Sequence, residues 1–160
     1  KRVDKSNYYR DIAHTVAARG TCLRRNFGAI IVKNDEIIST GYGVHQESVR
    51  TALTWDTAPE KAERSKGERY ELCRSVHAEA NAIISAPRSE MIGSTLYLVG
   101  LEYKDGSYVQ NANPCAMCKR MIINAGIETV VVRDTATSYR TIDVWESWVN
   151  QDASMEQIGY

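Results

Sequence analysis

Two short residue groups constrain this chain more than anything else in it: His77-Ala78-Glu79 and Pro114-Cys115-Ala116-Met117-Cys118. Each stands where a helix should begin, and a strand-like run lies between them. A fold that uses both must therefore bring two helix starts to one point. A Cys-x-x-Cys pair at a helix start directs two thiolates to one ion, and the helix N-terminus favours their deprotonated form. With one imidazole added, the donors make a soft set that suits zinc. Three protein ligands, His77, Cys115 and Cys118, leave the fourth tetrahedral position for water, the mark of a catalytic site. Glu79, two residues past the imidazole, is placed to carry a proton. A closed alternative also exists. Cys73 precedes His77 by four residues, so a Cys₃His site that only holds the fold uses one more thiol and leaves Glu79 without a role.

The chain around these groups reads as one domain, 1–160, alternating helix and strand. Tyr8 to Ala18 is an amphipathic helix with Ser6 or Asn7 as N-cap, stopped near Gly20. Residues 28–32 and 36–40 form a hairpin about Asn34-Asp35. From Gly41 to about Glu71 the pattern dissolves into a long loop or lid, with a short helix over 57–66. A helix from Ser75 or Val76 to Ser85 ends before Pro87, and Thr95 to Val99 is a buried strand. A polar excursion over 102–113 turns at Asp105-Gly106. The next helix runs from Cys115 to Ala125 with Gly126 at its end, and Glu128 to Val132 is a strand. The order α-β-β-α-β-α-β predicts a three-layer α/β/α sandwich with a mixed, largely parallel central sheet. Leu96 to Val132 should make a parallel, right-handed crossover.

Composition excludes several function classes. Lysine plus arginine equals aspartate plus glutamate at 20 each, so no global basic field draws the chain to a polynucleotide. No apolar run approaches the roughly 18 residues needed to span a bilayer, and residues 1–20 lack a signal-peptide core. A reducing, cytoplasmic setting follows, in which the four cysteines act as thiols or metal ligands rather than disulfides.

The two groups together resemble the signature of the zinc-dependent cytidine/deoxycytidylate deaminase superfamily, H-x-E followed by P-C-x-x-C. Residues 21–29, 38–42 and 121–127 are similar to the bacterial deoxycytidylate-deaminase branch. The resemblance implies a cytidine-deaminase-like fold, zinc on His77, Cys115 and Cys118, Glu79 as the proton carrier, and a Cys115 backbone amide facing the attacked centre. It implies hydrolytic deamination of a free pyrimidine nucleotide, dCMP to dUMP plus ammonia, and a homo-oligomer from dimer to hexamer. The pattern departs after Tyr42. Relatives continue with a small polar residue and a Gly-x-Pro turn that contacts the sugar, whereas this chain has Gly43-Val44-His45. That divergent segment, about 43–70, leaves open another amino-heterocycle as substrate, whether nucleoside, free base or specialised metabolite. It also leaves open a second zinc using Cys22 or Cys73, control by a triphosphate, and a non-catalytic zinc-stabilised module.

Candidate substrate contacts are Arg24, Arg25, Gly43, Ala78 and Arg88. Guanidinium groups suit phosphate oxygens, though a solvated loop explains Arg24 and Arg25 equally. Arg88 serves either phosphate or a subunit contact. Asn81 reads as a hydrogen-bonding residue near the site or as a packing residue, and His45 as a surface histidine. Trp145 and Trp148 read as core or interface anchors.

Overall fold

A computed structural model describes residues 1–22, 24–43 and 76–150. Five strands form one sheet in the order β2-β1-β3-β4-β5, with β1 at Arg25–Lys33, β2 at Glu36–Tyr42, β3 at Thr95–Glu102, β4 at Thr129–Arg133 and β5 at Tyr139–Asp143. Helix α1, Lys5–Ala17, covers one face, while α2, Ala78–Ile84, and α4, Ala116–Ala125, cover the other. A single turn, α3 (Arg88–Met91), follows α2, and a π-helical turn spans Trp145–Asn150. The three-layer sandwich and the mixed sheet are as expected. The proportion of parallel pairing is not. Only β3 and β4 pair in parallel; β1–β2, β1–β3 and β4–β5 are antiparallel. Parallel neighbours need a long crossover, and among the described connections only the one through α4 supplies it.

Strand alternation separates the two cores. Ile30, Val32, Val99 and Leu101 meet Tyr9, Ala13 and Ala17 of α1, whereas Ala29, Ile31, Leu96 and Leu98 meet α2 and α4. Asn34 and Asp35 have φ of 52° and 63°, the paired left-handed conformation that a two-residue hairpin demands. The N-cap of α1 is Asp4, whose carboxylate accepts from Asn7 N at 2.9 Å, rather than Ser6 or Asn7. Strand β5 was not expected. Trp148 is buried in the α2/α4 core, and Trp145 is 61% exposed. Among the described residues no helix is long and apolar enough to cross a membrane. The 57–66 helix, His45 and Cys73 lie outside the described residues.

The hairpin turn is also tied to α1. Lys5 Nζ contacts Asp35 Oδ2 at 2.8 Å, and the Tyr9 hydroxyl donates to Asp35 Oδ1 at 2.5 Å. That bond, with burial, pushes the Tyr9 phenol up to about 12, while Lys5 and then Tyr9 hold the Asp35 carboxyl below its usual range. A phenol raised in the folded state stabilises fully below its ordinary value of about 10. Its contribution is lost as pH rises toward 12. The Asp35 contribution is instead present above the ordinary carboxylate range and lost in acid. Tyr9→Phe should cost on the order of 1 kcal/mol at pH 8. It should also flatten the decline between about pH 10 and 12. Denaturant midpoints across that range check both.

Gly41 seats the second face. A Cβ there would lie 2.3 Å from Ala82 N and 2.4 Å from Ala78 O, so the backbone of α2 rests directly on β2. No left-handed φ is involved; the demand is for space. Gly41→Ala should therefore displace α2 outward, costing about 1–3 kcal/mol. Because α2 carries His77 and Glu79, zinc affinity should fall with it. Melting temperature and a zinc titration read the two effects.

Candidate active site and metal centre

The two motif groups meet at one edge of the sheet, where β2 and β3 end and α2 and α4 begin. His77 and Cys115 are the N-cap residues of α2 and α4, both with extended backbone (φ −66°, ψ 152° and φ −67°, ψ 166°). Helix caps usually supply a side-chain oxygen to the first turn; neither of these side chains caps. Both point instead at a common centre. Pro114 is buried just before Cys115, and Gly126 closes α4 with φ 82°.

His77 Nδ1 lies 3.6 Å from Cys115 Sγ and 3.5 Å from Cys118 Sγ. Bonds of about 2.05 Å to nitrogen and 2.3 Å to sulfur at a tetrahedral angle separate such donors by about 3.5 Å. The spacing fits zinc. Among the described residues, these three form the one group of acidic, thiol or imidazole side chains whose donor atoms all lie within 4.8 Å. Cys22 is half-buried elsewhere, its backbone N–H donating to Asn26 Oδ1 at 3.1 Å, and does not join them.

The two sulfurs are hydrogen-bonded to each other. The Cys118 thiol donates to Cys115, whose own pKa falls to about 3 through that bond and through His77. Cys118 is pushed far up by donating to Cys115 and by burial. His77 is raised, chiefly by its bond with Cys115. Glu79 is 5% exposed and hydrogen-bonded with Cys118. Burial holds its carboxyl above the usual range, against the opposing pull of Cys118 and His77. A carboxyl so enclosed, beside the half-exposed imidazole and the sulfurs, can pass protons to a group bound there.

The remaining candidates divide. Arg24 is exposed and Arg25 pairs with Glu102 (Nε to Oε1, 2.9 Å) across the β1–β3 ladder, both at the same sheet edge as the metal donors. Gly43 lies at that edge too; its N–H donates to Phe27 O at 3.2 Å and its carbonyl accepts from Thr21 at 3.3 Å. The Ala78 methyl is 1% exposed within the core, so only its backbone is offered to a ligand. Arg88 is corrected as a substrate contact. Its Nε donates to Asn124 O at 2.8 Å, at the far ends of α2 and α4 from His77 and Cys115. The nine residue steps from Cys115 to Asn124 rise about 14 Å along α4, which sets Arg88 well away from the metal donors. It caps the last turn of α4 instead.

Sequence reasoning missed Arg140 on β5. It donates from Nε to Asp134 at 2.9 Å, from Nη1 to Asn113 Oδ1 at 3.2 Å and from Nη2 to the Ala112 carbonyl. Those bonds fix the turn immediately before Pro114-Cys115. Nothing local marks the arginine, because its partners are 6 to 28 residues away.

Comparison with known proteins agrees with this geometry. The family profile described as the cytidine and deoxycytidylate deaminase zinc-binding region matches residues 3–134. A deoxycytidylate deaminase of Mycobacterium phage D29 is 32% identical over 135 residues, spanning 81% of this chain and 94% of the phage protein. Among solved structures, the apo dCMP deaminase of cyanophage S-TIM5 superposes with a TM-score of 0.53 at 21% identity, over 84% of this chain and 88% of that one. The cytidine deaminase of Burkholderia pseudomallei gives 0.58 at 16% identity, over 89% and 95%. At those identities the two structures show a shared fold alone. A profile match across most of the chain, joined to a relative above 30% identity over nearly its whole length, places this chain in the cytidine and deoxycytidylate deaminase family.

Proposed function

We propose that this protein deaminates a free pyrimidine nucleotide, dCMP to dUMP with release of ammonia. His77, Cys115 and Cys118 hold the zinc in this reading, and Glu79 moves the proton. The observation that carries it is the 3.5–3.6 Å spacing of the imidazole and two sulfurs with an enclosed carboxyl beside them. The name of the phage relative, a deoxycytidylate deaminase, supports dCMP as the substrate.

His77, Cys115 and Cys118 would hold the zinc, which would supply Lewis acidity and lower the pKa of the attacking water toward about 7. Glu79 takes a proton from the attacking water and delivers it to the ring nitrogen beside the amine-bearing carbon. Oxygen bonds to that carbon. The hydroxyl now on that carbon gives up its proton, which passes through Glu79 to the amine; the carbon–nitrogen bond breaks, a carbonyl forms, and ammonia leaves. The Cys115 backbone amide, at the start of α4, faces the charge that develops. Arg24, exposed at the same edge, is the phosphate candidate.

Ammonia release from zinc-loaded protein, compared across dCMP, other phosphorylation states, nucleosides and free bases, tests the assignment. No release from any cytosine nucleotide would remove it. A second reading, another amino-heterocycle, has one observation in its favour. At Gly43 an added Cβ would meet, among the described residues, only Val76 O at 3.9 Å, so neither packing there nor a left-handed φ requires glycine. Equal rates with and without phosphate favour it. Ile84 and Met117 are 70% and 56% exposed on α2 and α4, which supports a homo-oligomer, dimer or hexamer, readable by light scattering. The free thiols of the site support a reducing, cytoplasmic setting.

A further inference from the structure

Asparagine is a poor helix former, because its amide competes for backbone groups outside the helix. Asn81, in the first turn and a half of α2, does so twice. Its Nδ2 donates to Tyr42 O at 2.8 Å and to Val76 O at 3.3 Å, while its backbone N–H donates normally to His77 O at 3.0 Å. Tyr42 is the last residue of β2, and Val76 immediately precedes His77. One side-chain amide thus joins the end of a strand to the start of the helix that carries a metal donor.

What Tyr42 carries with it matters. Gly43 follows directly, donating to Phe27 and accepting from Thr21, so any shift of Tyr42 moves the turn between α1 and β1 as well. The metal donors depend on other contacts. Helix α2 is seated by Gly41 against Ala82, and Cys115 and Cys118 belong to α4. The Asn81 side chain therefore reaches the Gly43 side through the shorter bond to Tyr42 O, and the metal side through the longer one to Val76 O, while the backbone bond to His77 O survives any change of side chain.

We propose that Asn81 is a positioning residue for substrate, holding Tyr42-Gly43 at a fixed distance from His77 through its two carbonyl contacts. The inference rests on the reading of Gly43 as substrate-facing in a deaminase. Losing one half-buried, doubly used donor should weaken substrate binding about tenfold without altering the chemical step.

Asn81→Asp keeps the shape but presents an acceptor to two carbonyls; Asn81→Gln keeps the amide on a longer stem. For Asn81→Asp the expected result is a KM for dCMP raised about tenfold, kcat within about threefold, and zinc at the wild-type stoichiometry. Asn81→Gln should recover part of the KM loss. Amide hydrogen exchange should quicken at Gly43 in Asn81→Asp while the β1–β3 ladder keeps its protection. An unchanged KM with unchanged Gly43 exchange would overturn the proposal. So would loss of zinc with kcat and melting temperature falling together, since that is the pattern of a packing residue. If wild-type protein does not turn over dCMP, the substrate reading fails by itself. The exchange arm then decides on Asn81, and unchanged Gly43 protection overturns it.

Discussion

Replacing Glu79 with glutamine is expected to remove nearly all turnover while leaving zinc in place. The amide has almost the shape of the carboxyl but cannot accept a proton, and in the proposed reaction both proton deliveries pass through this group. General acid–base catalysis contributes about 10²–10⁴-fold, and with two transfers lost kcat should fall by at least about 10³-fold. Zinc stoichiometry should not change, since the three donors are His77, Cys115 and Cys118. Stability should hold or rise, because a carboxyl buried to 5% exposure carries a desolvation cost that an amide largely avoids. Metal analysis, a melt and single-turnover kinetics separate these effects. Activity within tenfold of wild type would take the proton away from Glu79.

Cys118→Ser should fail at the earlier step. Cys118 is fully buried, 3.5 Å from His77 Nδ1, on the inner side of the first turn of α4. Serine occupies the same space, so the fold has little reason to collapse. Its oxygen is a harder donor that keeps its proton near neutral pH, and it suits zinc poorly beside a thiolate and an imidazole. Zinc affinity should fall by more than about 100-fold, beyond the loss caused by removing a partner that only orients a ligand. Turnover falls with it. Wild-type protein should also melt higher with zinc than with a chelator, by about 4 kcal/mol at a thousandfold excess over the dissociation constant. The variant should show no such difference. A variant that binds zinc stoichiometrically and turns over would exclude Cys118 from the donor set.

The parts legible in the sequence were those specified locally. Asn34-Asp35 announces its turn because few residues accept the left-handed backbone a tight hairpin requires. Gly126 marks the end of α4 for the same reason. The donor set was readable because zinc coordination demands particular atoms at particular spacings. What was lost depends on distance. Strand β5 reads Tyr-Arg-Thr-Ile-Asp, half-exposed at the sheet edge with one aliphatic side chain, so its pattern carries little signal. Its short return from β4 through 134–138 forces an antiparallel pairing that the expected mixed, largely parallel sheet did not include. Arg88 looked like a ligand because charge and sequence proximity to His77 are visible, whereas the length of α2, which carries it to the opposite end, acts only in three dimensions. The depth of Glu79 was likewise invisible, since it follows from how α2 lies on Gly41.

The same asparagine contact that joins Tyr42 to Val76 has a meaning for how such a protein changes over generations. Gly43 and Val76, the described residues on either side of 44–75, lie close together, with Val76 O 3.9 Å from where a Gly43 side chain would begin. Joining ends that are already fixed close together costs little more for a long insert than for a short one, about 0.6 kcal/mol per doubling. Segments of different length and composition can then be exchanged at this point as cassettes without re-registering the sheet. A lineage could acquire new substrates by recombination there while inheriting its reaction unaltered.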